Sequence, residues 1–148
     1  MSTHLLSGKI VSCGCYLRSV ITKHGRVDSP EYGAWKDAKR RCYDPSSNAF
    51  HNYGGRGIQM APEWKNDFGA FFAHIGLRPS QHHTLERINN NGNYEPGNVR
   101  WATRKQQANN RRNNRIVNYE GKSYTFAQLA SHLGVDWKTV KRRYGNVR

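Results

Sequence analysis

The stretch from Gln81 to Arg115, QHHTLERINNNGNYEPGNVRWATRKQQANNRRNNR, constrains this chain more than any other. Its middle, Asn89-Asn90-Asn91-Gly92-Asn93-Tyr94-Glu95-Pro96-Gly97, is built almost wholly of residues that favour turns. His82 to Ile88 before it and Val99, Arg100 and Trp101 after it can extend. The tract therefore predicts a strand, a compact loop and a short return strand. Thr103 then stands as a helix N-cap, with Gln106 three residues on to complete a capping box. The helix that follows carries Arg104, Lys105, Arg111 and Arg112, and no acidic residue lies between Glu95 and Glu120. Such a face suits phosphate groups. The run Asn109 to Arg115 reads as a frayed linker.

Two helical patterns precede this tract. Asp28 or Ser29 can cap the first, and Pro30 suits its first turn. Tyr32, Trp35, Ala38 and Cys42 make one apolar stripe, with Lys36, Lys39, Arg40 and Arg41 largely off it. Asp44-Pro45 should end the helix. A second helix is expected from Pro62 to Gly76, with Trp64, Phe68, Phe71, Phe72 and Ile75 as core. Between the two, Gly54-Gly55-Arg56-Gly57 is a tight turn. It either connects elements or presents Arg56 to a phosphate. Helices and a small hairpin together give an α+β fold.

Residues 116–148 read as a separate helix-turn-helix module. Thr125 caps its first helix with Gln128, and Phe126, Leu129, Ala130 and Leu133 form the apolar face. Gly134 makes the turn, and Val140 and Tyr144 pack the second helix. That helix carries Lys138, Lys141, Arg142 and Arg143, cations that hold phosphates while a helix lies in a major groove.

The overall charge agrees with these local signs. Lys and Arg number 24 against 10 Asp and Glu in 148 residues, a formal charge of +14. That field attracts polyanions, so the expected partner is double-stranded DNA. Apolar runs fall far short of the roughly 18 residues a membrane helix needs. The N-terminus lacks a signal-peptide pattern, and three cysteines make no disulfide framework. A cytoplasmic protein is expected.

The tract HTLERINNNGNYEPGNVRWAT resembles the core of phage and mobile-element HNH endonucleases, the His-Me finger or ββα-metal group. SPEYGAWKDAKRRCYDP, the NYGGRGI turn and the PEW helix ending in GLRPS resemble the phage branch of that group. The likeness spans about residues 12–115, and homing-type members often carry a helix-turn-helix tail. It implies a ββα-metal core packed on helices and a metal-dependent DNA endonuclease in a bacterial host. The alternative on the same scaffold is a DNA-binding regulator that does not cut.

In that group a histidine takes a proton from water, a nearby carboxylate or amide holds one divalent metal, and a later asparagine fixes the geometry or adds a ligand. Mg²⁺ is the expected ion, since it prefers hard oxygen ligands. Glu86 falls where the metal-binding carboxylate would, and Asn98 matches the asparagine. Many relatives have a histidine directly after the carboxylate. Here that residue is Arg87, which stays protonated and cannot act as a base. His83 is then the candidate base, with His82 and His51 as alternatives. Strand alternation puts His83 and Glu86 on opposite faces, so the strand would have to end early or bend to bring them together. The phage branch often has Asp where Asn89 stands. Arg56, Arg87 and Arg100 join the basic residues already named as contacts to DNA. Cys13-Gly14-Cys15 resembles half of a zinc ribbon that precedes such cores. His4, His24 or a partner chain would have to complete a zinc site. The implied organisation is 1–27 N-terminal segment, 28–115 nuclease domain and 116–148 helix-turn-helix.

Overall fold

The structure, a computed structural model, describes residues 25–145. Cys13 and Cys15, the proposed zinc ligands, lie outside the described residues, as do His4 and His24. The first helix, α1 (Pro30–Tyr43), begins as its sequence predicts: the Ser29 hydroxyl accepts from the Tyr32 N–H at 3.1 Å, and Asp44 closes the far end. Trp35, Ala38 and Cys42 are buried along one stripe. Two short 3₁₀ turns, Phe50–Asn52 and Gly54–Arg56, lead away from it. Gly54 passes so close to α1 that a Cβ there would sit 2.1 Å from the Cys42 carbonyl oxygen. The glycine serves an approach between two parts of this chain.

The expected helix from Pro62 to Gly76 is two helices, α2 (Pro62–Asn66) and α3 (Phe68–Ile75). Asp67 breaks the run. Its backbone is extended, and its carboxylate accepts from the N–H groups of Gly69 and Ala70 at 2.7 and 3.2 Å. A side chain that caps a new helix competes with the backbone for the old one. The break lets Trp64, Phe68 and Phe71 all enter the core with Trp35, Ile58, Met60 and Val99. A buried hydrogen bond from the Trp35 indole to the Trp64 carbonyl, 2.7 Å, ties α1 to α2. Edge-to-face rings fill the space between α1 and α3, with Tyr32 and Phe68 at 5.1 Å and 84°.

Strands β1 (His83–Arg87) and β2 (Val99–Thr103) pair antiparallel over their whole length, His83 facing Thr103 and Glu86 facing Arg100. Helix α4 (Arg104–Asn109) follows, with the Thr103–Gln106 capping box in place. It stops before Arg111 and Arg112, which sit on the turns beyond it rather than on the helix. The asparagine-rich run is not frayed: Asn110 donates to the Arg87 carbonyl at 2.8 Å and Asn114 to the Ala108 carbonyl at 2.7 Å.

The C-terminal module opens with a hairpin the helical reading overlooked, β3 (Ile116–Tyr119) and β4 (Lys122–Thr125). Glu120 and Gly121 form its turn, both at positive φ (49° and 73°), the pattern of a tight two-residue connection. Helices α5 (Phe126–Leu133) and α6 (Trp137–Tyr144) pack through Leu129, Ala130 and Val140, joined by a turn at left-handed Gly134. This core shares no residue with the first. The fold is α+β, with two separate two-stranded sheets among the described residues. Among the described residues no helix is long and apolar enough to cross a membrane.

Candidate functional site

The loop between β1 and β2 is held by one side chain. Asn98 is buried, and both ends of its amide bond the loop: Oδ1 accepts the Asn89 N–H at 2.7 Å, while Nδ2 donates to the Asn93 carbonyl at 2.7 Å and the Asn89 carbonyl at 3.2 Å. Gly92 is required beside it, because a Cβ would lie 2.7 Å from that Nδ2. The loop also docks on the segment before α2. Tyr94 exchanges backbone hydrogen bonds with Gln59 and Ala61, and its ring is 2% exposed. Asn98 therefore fixes loop geometry, one of the two roles the HNH resemblance offered. Its oxygen is turned into the loop, toward the Asn89 N–H.

A cleft of about 860 Å³ lies between α1, β1 and α4. All five residues of β1 line it. His83 and Glu86 are both among the residues that line it, and β1 is unbroken and fully paired, so the two keep the opposite faces that strand alternation gives them. His83 sits at the outer end of β1, its Nδ1 2.9 Å from the Ser80 hydroxyl. His82 and His51 are exposed and do not line the cleft.

Glu86 is 8% exposed and faces a cation. Its Oε2 lies 2.8 Å from both Nε and Nη2 of Arg100, the residue directly across the hairpin. That pairing leaves Arg100 engaged within the chain, although it still reaches solvent. Arg87 is drawn inward as well. It is 5% exposed, donates to the Gly92 carbonyl at 3.0 Å, and places its guanidinium 4.7 Å from the Tyr53 ring centre and 5.0 Å from that of Tyr94. Tyr53 and Tyr94 are stacked at 6.3 Å. Burial pushes the Tyr94 phenol up to about 12, so it stays a neutral hydrogen-bonding group at any ordinary pH.

Arg104 and Arg111 line the cleft with exposed side chains; Lys105 and Arg112 are exposed beside it. Arg56 is exposed too, and its Nη2 bonds the Asn91 side chain at 2.7 Å, joining the glycine turn to the loop. On α6, Lys138, Lys141, Arg142 and Arg143 are exposed together with Trp137, 49% accessible. Two cleft arginines, Arg41 and Arg78, were not singled out by sequence. Arg41 lay only one step off the apolar stripe of α1, and that placement was the available signal.

Among the described residues no group of three His, Cys, Asp or Glu side chains lies together. Glu86 pairs with Arg100, and the Asn98 oxygen accepts the Asn89 N–H. Comparison with known protein families, curated proteins and solved structures returned no match.

Proposed function

We propose that this chain is a DNA endonuclease of the HNH type, hydrolysing phosphodiester bonds in the cleft beside β1. The observation that carries this reading is the shared cleft: His83 and Glu86 line one cavity with Arg41, Arg78, Arg87, Arg104 and Arg111. The arginines draw in the backbone and offset its charge. His83 takes the proton of an attacking water, with Ser80 orienting its ring through Nδ1. Asn98 keeps the loop rigid beneath the phosphate. The exposed cations and Trp137 of α6 add contacts in the major groove. Dependence on Mg²⁺ belongs to the family resemblance, not to the donor set, and its addition or removal decides it.

The test is supercoiled plasmid incubated with Mg²⁺ or with EDTA. We expect nicking or linearisation with Mg²⁺ only, reduced about 10²- to 10⁴-fold by His83→Ala, the range for a lost general base. A single ion pair supports a second reading. Glu86 bound to Arg100 and the arginine at position 87 suit a regulator that binds duplexes without cutting. A mobility shift with no scission under either condition selects it.

A further inference from the structure

The floor of the cleft carries a cation without an anion. Arg87 is nineteen-twentieths buried, and a buried charge is costly unless something compensates it. Its partners are a carbonyl and two aromatic faces. These orient the guanidinium and soften its desolvation, but none carries a formal negative charge. The nearest carboxylate in sequence, Glu86, is taken by Arg100. A second guanidinium stands close by: Arg41, half-buried on α1, lies 5.6 Å from the centre of the same Tyr53 ring and beside the Tyr94 phenol. Asp37, one turn earlier on α1, also lines the cleft and offsets part of this charge. The cleft still holds five arginines against two carboxylates, one of them already paired.

We propose that Arg41 and Arg87, set around the Tyr53–Tyr94 stack, form a seat for one tetrahedral oxyanion, occupied in the complex by a backbone phosphate of the duplex. The seat deepens the reading given above and rests on it only for the identity of the phosphate's carrier. Two planar guanidinium groups held by rings present fixed N–H donors to an oxyanion, at lower entropic cost than flexible surface lysines. The stack belongs to two turns far apart in sequence, NYGGRG and GNYEPGN, so the seat assembles only when the loop docks.

Arg41→Gln is the working variant, because Arg87 also holds the loop and its loss would disturb folding. Thermal unfolding is compared in inorganic phosphate and in chloride at matched ionic strength, since phosphate also stabilises proteins non-specifically. The parent should gain several degrees more in phosphate than Arg41→Gln, and Arg41→Lys should recover part of the difference. Equal gains in parent and variant, or none in either, overturn the seat. Duplex binding is then followed against salt. Loss of one contacted phosphate lowers the slope of log K against log salt by about 0.9. A lowered slope identifies the backbone as the source, whereas an unchanged slope with a lost phosphate effect assigns the seat to a free phosphate ligand. A parent that is stabilised by phosphate yet binds no duplex keeps the seat and removes the endonuclease reading. A parent that cuts DNA with no phosphate effect does the reverse.

Discussion

Asn98 decides the shape of the loop, and its chemistry can be separated from metal binding by two substitutions. Asn98→Ala abandons three hydrogen bonds, leaving the Asn89 N–H and the Asn93 carbonyl without their partner, while the Asn89 carbonyl keeps the Gly92 N–H. We expect a loss of about 3 kcal/mol in urea unfolding. Asn98→Asp keeps the acceptor but sets a carboxylate oxygen against the carbonyls of Asn89 and Asn93. It should destabilise as well, whereas a metal ligand would tolerate it. Cys42 gives a pH signature. Burial pushes its thiol from 9.0 up to about 11. The folded chain then keeps a proton that the unfolded chain loses, so stability falls as pH rises. The contribution is complete below about pH 9 and gone by about 11. Relative to the parent, Cys42→Ala should lose less stability across that window, measured as denaturant midpoints at a series of pH values.

Among the elements, the β3–β4 hairpin offers the clearest test. Glu120 occupies a left-handed conformation that costs a residue with a Cβ roughly 1 kcal/mol. Asparagine tolerates that conformation and forms the preferred pair with a following glycine. Glu120→Asn should therefore stabilise the module by about 0.5–1 kcal/mol, read as a higher midpoint in thermal unfolding. No gain would mean that the turn does not limit the stability of the module.

At the scale of the molecule, the two hydrophobic cores share no residue, and a chain of +14 spreads its cations over both. A side-chain hydrogen bond, Thr125 to Asn109 at 3.1 Å, is one link between them. A chain ending at Arg115 should still unfold cooperatively, since Trp35, Trp64, Phe68 and Phe71 remain together. It should bind duplex DNA more weakly, with a salt slope lower by about 2–4 as the phosphate contacts of α6 disappear. Calorimetry and a salt titration read the two effects separately. Non-cooperative melting of the shortened chain would show that the first core depends on the second.

Local chemistry was legible from the sequence wherever neighbours along the chain decide the outcome. The caps at Ser29, Thr103 and Thr125, the stops at Asp44 and Gly134, and the strand–loop–strand–helix order all depend on residues within a few positions of each other. The hairpin at Glu120-Gly121 and the break at Asp67 were equally local, but amphipathic periodicity masked them. The site itself was different. Whether Glu86 meets solvent or Arg100, whether the Asn98 amide faces outward or into the loop, and whether Arg87 is a surface contact or a buried cation depend on side chains brought from other elements. The sequence alone determined which residues carry charge and where the chain turns. Only tertiary packing decided which charges were neutralised, because burial and pairing are properties of the surroundings and not of the residue.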